Sequence, residues 1–426
     1  NRFCWGGEVA FKNMFEKNIF KVSLVVGHLI FTLIATQDIP STMFTAWRGT
    51  DPTTSITIQW LSFSENSRKV GLINSTNGIL NAGIESNTVN FSAKVYRHRV
   101  DLLDLSPDTR YEITLDGKKS GLYIKTAPDT LSKELTFVQG GDIALGEDGR
   151  ALHEIAANYS PLFALVGGDM ADSEPPIPDD APDWREFLRD WHDKMRTDDN
   201  ILIPIVAAIG NHEIDDGKAN QYFMLFDNTR REEAYWVFDI ENYLSIYVMD
   251  NELDYEKQIP GKEKNWLKKE LIKRVYIPHK FAVMHTPPYT LCKSRYQARS
   301  KMTREHWVPI WEKYGIDVVF QDDDELYGRT FPLIKGNKNP SGIVYVGNGG
   351  WGEYDDRKIA GEMQGKEVDK GEEMTDEEVK KALSQFAVKK ECNYVIRVSI
   401  HPNGRQQYLA FNTDGKVDEF EINRKR

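Results

Sequence analysis

Four short segments of the chain put acids or imidazoles directly after an apolar run, three of them beside glycine: Gly140-Gly-Asp142, Gly167-Gly-Asp169-Met-Ala-Asp172, Gly210-Asn-His-Glu213 and His285-Thr-Pro-Pro-Tyr289. A fifth, Gln321-Asp-Asp-Asp-Glu325, holds the same position after its own apolar run. Oxygen donors with a few imidazoles suit a pair of divalent or trivalent cations, with one carboxylate bridging them. A single Gly-Asp pair or a lone histidine says little, so it is the ordered series that carries the metal reading. The glycines are expected to let the backbone turn sharply where each strand ends.

The elements that position these residues can be read from the apolar runs. From about Glu134 onward, strand candidates at 135–138, 162–166, 202–207, 244–249, 281–284, 317–320 and 343–346 alternate with helical patterns. Trp184, Phe187, Leu188, Trp191 and Met195 recur at helical spacing and form one buried face. Buried strands with polar residues just past their C-terminal ends imply a layered α/β domain whose site lies along those ends. Residues 40–127 read differently. Short alternating strands near 55–60, 94–98 and 111–115, separated by Asp, Asn, Gly and Pro turns, give an all-β sandwich pattern with Trp60 as core anchor.

Composition narrows the class. The 426 residues carry 54 Lys plus Arg against 65 Asp plus Glu, a net charge of −11, which argues against a dedicated nucleic-acid binder. Three cysteines exclude a disulfide scaffold. Residues 1–37 are read as a leader. Lys17 and Lys21 precede the apolar run Val22 to Ala35, a signal-peptide pattern too short for an easy membrane span; an uncleaved signal anchor is the alternative. A secreted, extracellular or periplasmic location follows, with no stable membrane span after signal removal. Cys292 and Cys392 are then either paired or two free thiols. Residues 358–391 carry 7 basic and 9 acidic residues and a Thr375-x-x-Glu378 capping box, and read as a charged, solvated insertion.

From about residue 40 onward the series resembles the metallophosphoesterases of the calcineurin-like superfamily. Within them it resembles the purple acid phosphatases, which carry an N-terminal fibronectin type III-like domain. Gly210-Asn-His-Glu213 matches one family block outright, and Gly-Asp169 and His285 match two others. The resemblance implies a β-sandwich (40–127) followed by a catalytic domain (134–426) with a layered α/β/β/α sandwich. It implies two metal ions (Fe, Mn, Mg or Zn) and hydrolysis of phosphate monoesters, the substrate being a phosphorylated small molecule or phosphopeptide. Carried over, Asp142 binds the first metal, Asp169 bridges, and Asn211 with His285 binds the second. His212 is the proton donor or phosphate contact. Lys293, Arg295 and Arg329 are candidates for holding phosphate oxygens.

Two blocks depart from the family. Asp172 stands where the family has its metal-binding tyrosine. The last block, Gly-His-x-His in the family, reads Asp322-Asp-Asp-Glu325, with Asp323 and Glu325 at the two histidine positions; the flanking Val319, Phe320, Leu326, Tyr327, Arg329 and Thr330 fix the register. Asp142, Asp169, Asp172, Asp323 and Glu325 would bring five carboxylates to one site, which weakens its pull on a phosphate dianion and disfavours Zn²⁺. The alternative reading is a catalytically degenerate extracellular metal- or partner-binding protein that retains the fold.

Overall fold

Period-two alternation along short strands builds two face-to-face sheets. The structure, a computed structural model, describes residues 39–426 except 172–177, 215–217, 227–232, 293–296, 353–357, 360–374 and 424–426. The leader, Asp172, Lys293, Arg295 and much of the 358–391 insertion therefore lie outside the described residues.

The first sheet has ten strands. Its centre is the parallel set Leu135–Gly140, Ala164–Val166 and Ile205–Ala207, continued on one side by the antiparallel strands Val395–Ile400, Arg405–Asn412 and Gly415–Asn423. The second sheet has seven strands. Leu244–Val248, His279–Met284, Val318–Gln321 and Val344–Gly347 run parallel at its centre.

Successive strand residues point to opposite faces, and the chain uses both. Phe137 meets Phe281 and Phe320 across the gap between the sheets, at ring separations of 6.0 and 6.1 Å. Its neighbour Val138 faces the other way, into a cluster with Leu152, Trp184, Phe187 and Trp191 from the helices Glu147–Asn158 and Pro182–Lys194. On the second sheet, Ala282, Met284 and Val319 pack on Leu267, Trp307 and Trp311. Helices thus cover both outer faces, giving the layered α/β/β/α sandwich that the resemblance implied. Truncating a core aromatic such as Phe137 to alanine costs about 3–5 kcal/mol in a packed interior of this kind.

The N-terminal β region is divided between sheets. Lys69–Asn74, Leu80–Glu85, Arg110–Leu115 and Lys118–Lys125 form a four-stranded sheet of their own. Ile56–Ser62, Asn87–Asn90 and Tyr96–Leu102 instead extend the ten-stranded sheet, because Phe44–Ala46 pairs in parallel with Ile205–Ala207 and antiparallel with Ile56–Ser62. Residues 40–426 accordingly form one compact unit. Trp60 is buried and stacks on His98 at 4.9 Å.

Thr375 caps the helix Asp376–Ser384 through the reciprocal Glu378 box read from sequence. Cys292 and Cys392 are not joined in a disulfide. Among the described residues no helix is long and apolar enough to cross a membrane.

Candidate metal centre

The turns that follow the C-terminal ends of parallel strands in both sheets carry the described candidate side chains. Leu135–Gly140 leads to Asp142, Ala164–Val166 to Asp169 and Ile205–Ala207 to Asn211 and His212; His279–Met284 leads to His285 and Val318–Gln321 to the acidic run. The turns are laced together. The Asp142 amide donates to the Gly168 carbonyl at 3.1 Å, the Ile143 amide to Asp169 at 2.8 Å, and the Asp322 amide to His285 at 2.9 Å.

The turns are sharp, but the glycines expected to supply the left-handed backbone mostly do not. Positive φ falls on the acids themselves: Asp142 at 56°, Asp169 at 50°, Asp323 at 75° and Glu325 at 56°. Each such non-glycine residue stores about 1–3 kcal/mol of strain that the surrounding lacing must offset. Gly141 and Gly167 matter for space. A Cβ on Gly167 would lie 1.6 Å from Asp322 Oδ2, and one on Gly141 would lie 2.8 Å from Asp322 Cγ.

Asp142, Asp169, His285 and Asp323 converge, each offering one donor atom within 4.8 Å of the others, and all four are buried. His285 Nδ1 lies 3.0 Å from the Gly167 carbonyl, a contact that aims Nε2 at the carboxylates. Around Nε2 stand Asn211 Oδ1 at 2.9 Å, Asp169 Oδ2 at 3.0 Å and Asp323 Oδ1 at 3.4 Å. Asp142 Oδ2 accepts from the Asp323 amide at 2.9 Å, tying the first sheet to the acidic run. His212 sits at the rim, its side chain 13% exposed and its Nε2 3.9 Å from Asp169 Oδ2, while its amide donates to Asp169 Oδ1 at 2.9 Å.

Electrostatics follow from burial and crowding. Burial pushes the Asp142 carboxyl well above the usual range against the pull of His285, and the charges of Asp169, Glu325 and Asp322 push it further. Burial also works against ionisation of Asp169, but the charge and hydrogen bond of His285, with His212, hold it low. Burial opposes protonation of His285, yet Asp169 and Asp142 hold it well above its ordinary value. The main positive influences on the two aspartates are imidazoles, with no Lys or Arg among them. Three buried carboxylates and one imidazole, with like charges crowded together, fit a hard divalent cation.

Two further described site candidates are not among these four donors. Glu325 is buried but is not among the four converging donors. Arg329 is engaged elsewhere: Nε donates to Asp418 Oδ2 at 2.6 Å, and the guanidinium lies over the Phe420 ring at 4.7 Å. Asp172 lies outside the described residues, as does Arg295.

Sequence reasoning missed three buried acids that shape the site without joining the four. Glu213 accepts from the amides of Gly210, Asp169 and Met170 at 2.7, 2.9 and 2.8 Å, and burial with the Asp169 charge pushes it up to about 7. Asp322 fills the notch left by Gly141 and Gly167 and accepts from Gln139 Nε2 at 3.1 and 3.3 Å; burial raises it to about 7. Asp324 turns the other way, accepting from the Leu291 amide at 2.6 Å, Thr290 Oγ1 at 2.8 Å and Asn348 Nδ2 at 2.7 Å, and burial raises it to about 6. Glu213 was visible as the last residue of a recognised block. The register of the block singled out Asp323, but nothing in the sequence separates the jobs of 322 and 324.

Strand-end acids and imidazoles brought together by two stacked sheets are the arrangement that the resemblance to metallophosphoesterases implied. The calcineurin-like phosphoesterase family model matches residues 142–321, the stretch from the first converging aspartate to the last central strand before the acidic run. Purple acid phosphatase 21 of Arabidopsis thaliana is 26% identical over 270 residues, covering 59% of this chain and 58% of that protein. Purple acid phosphatase 15 of the same plant is 24% identical over 208 residues, covering 45% and 38%. The chain thus spans about half the length of the curated relatives it matches.

In overall fold it is similar to a purple acid phosphatase from yellow lupin seeds, with a TM-score of 0.67, 17% identity and coverage of 90% of this chain and 74% of that one. It is also similar to PhoD, with a TM-score of 0.62, 12% identity and coverage of 90% and 89%. Over residues 142–321 the chain thus matches the calcineurin-like phosphoesterases, and in sequence and fold it is similar to purple acid phosphatases.

Proposed function

We propose that this protein hydrolyses phosphate monoesters in a cation-dependent reaction, acting on a phosphorylated small molecule or phosphopeptide after secretion. The observation that carries the reading is the convergence of Asp142, Asp169, His285 and Asp323 within 4.8 Å at the strand ends. Those side chains, with Asn211, would hold the cation, and a bound cation would supply Lewis acidity toward a phosphoryl oxygen and acidify water. The rest of the chemistry falls to the chain. The rim position of His212 beside Asp169 supports a role in giving a proton to the departing alkoxide. Glu213 and the Gly167 carbonyl keep Asp169 and His285 in their orientations.

The test is an assay of p-nitrophenyl phosphate with the metal-stripped protein titrated with Mn²⁺, Fe²⁺, Mg²⁺ and Zn²⁺. Cation-dependent turnover is expected. No turnover with any of them, together with no retained metal by elemental analysis, would sink the proposal.

A further inference from the structure

The family implies two metal ions, and the spacing of the donors in this chain bears on that number. Dinuclear phosphatase sites hold their ions about 3.5–4 Å apart, so ligands on opposite ions stand roughly 8 Å from each other. Here Asp142, Asp169, His285 and Asp323 each present an atom within 4.8 Å of every other. One ion with bonds of about 2.1–2.4 Å has a coordination sphere about 4.2–4.8 Å across, enough to touch all four. Neighbouring ligands on such an ion stand about 3 Å apart. Around His285 Nε2 the observed separations are 2.9 Å to Asn211, 3.0 Å to Asp169 and 3.4 Å to Asp323.

Asp142 and Glu325, both candidate ligands in the sequence, differ in their relation to the four converging donors. Asp142 is drawn into the His285 group by the hydrogen bond from the Asp323 amide to its Oδ2. Glu325 stays out of it. The notch beside Asp142 is taken by a fourth carboxylate, Asp322, packed against Gly141 and Gly167.

We infer that the site takes one divalent cation per chain, held by Asp142, Asp169, Asn211, His285 and Asp323, with Glu325 outside the donor set. Four oxygens and one imidazole make a donor set that suits six-coordinate Mn²⁺ better than tetrahedral Zn²⁺. The inference rests on the metal-dependent reading of the site, but it concerns stoichiometry and can fail separately.

The full chain, stripped of metal, would be titrated with Mn²⁺ by calorimetry, and its retained metal counted by elemental analysis after gel filtration. One Mn²⁺ per chain is expected, with the six-line electron paramagnetic resonance spectrum of an isolated ion. That spectrum needs no variant and so does not depend on a mutant folding. Glu325→Gln should still bind one ion at unchanged affinity, and Asp142→Asn should weaken the same single site at least tenfold. Two ions per wild-type chain with an exchange-coupled spectrum, or a loss of one ion in Glu325→Gln, would overturn the inference, as would no binding at all. Turnover separates this from the proposed function. Two ions with turnover overturns only the stoichiometry, and one ion with no turnover on any phosphoester upholds the stoichiometry while removing the hydrolase.

Discussion

The two sheets supply unequal halves of the site. On the ten-stranded sheet, ligand and support are separate residues in separate turns: Asp169 points inward while Glu213, from the next strand end, holds three amides behind it. On the seven-stranded sheet, beside the ligand His285, one run of four acids supplies both ligand and support. Asp322 wedges against Gly141 and Gly167, Asp323 joins His285, and Asp324 turns away to Thr290, Leu291 and Asn348. The difference teaches that a count of charges along a sequence overstates the charge at an ion. Consecutive residues in a turn with left-handed backbone at Asp323 and Glu325 point in different directions, and only one acid of the run is among the four that converge.

The largest expected effect lies where the halves meet. Asp169→Ala should remove both bound metal and turnover, because Asp169 contacts His285 and His212 alike. His212→Ala should lower kcat by about 10²–10⁴-fold, the usual span for a lost general acid, with metal content unchanged. Elemental analysis beside steady-state kinetics checks both, and equal loss of metal in the two variants would contradict the division of roles.

The supports come next, and they test whether the halves are equally rigid. Asp324→Ala and Glu213→Ala each remove an acid that accepts three hydrogen bonds in the interior, and buried donors left without acceptors cost about 1–3 kcal/mol each. Each variant should lose about 3 kcal/mol or more in urea unfolding. Asp324→Ala should also weaken Mn²⁺ binding about 10–100-fold, since it frees the turn that carries Asp323. An Asp324→Ala protein of wild-type metal affinity would show that the acidic run does not depend on this anchor.

A smaller effect concerns pH. Burial raises Asp322 to about 7, whereas a carboxyl in an unfolded chain titrates near 4. The native state therefore binds the extra proton between those values, and this residue's contribution to stability falls as pH rises from about 4 to 7 and then levels off. Asn does not titrate, so the stability of metal-free Asp322→Asn relative to wild type should improve over that same interval. Paired urea melts at pH 5 and pH 8 measure it, and a difference that stays flat or declines with pH would show that Asp322 is ionised throughout.

Much of this architecture was legible in advance because it depends on local pattern. Apolar runs of four to six residues marked the central strands, and Gly-Asp169 and Gly-Asn-His-Glu213 marked their ends. What was hidden depends on distant partners. Gly141 and Gly167 read as turn formers, but their lack of a side chain makes room for a carboxylate from Asp322, 181 and 155 positions onward. The parallel pairing of Phe44–Ala46 with Ile205–Ala207, which draws part of the N-terminal β region into the main sheet, has no local signal at all.

Arg329 is the sharpest case, and it gives the smallest predicted effect. Its place in a family-like flank suggested a phosphate contact, while the residue that holds it, Asp418, lies 89 positions away on the outermost strand of the other sheet. The pair is largely enclosed, with side chains 18% and 11% exposed, and Tyr327 donates to the same carboxylate at 2.8 Å. Arg329→Ala should thus cost about 1–2 kcal/mol of stability, moderated because Asp418 keeps the tyrosine. KM and kcat should stay within about twofold of wild type, since the guanidinium is spent on joining the two sheets. A KM raised tenfold with kcat unchanged would mean that the ion pair opens when substrate arrives, and would extend the functional site along the second sheet beyond the acidic run.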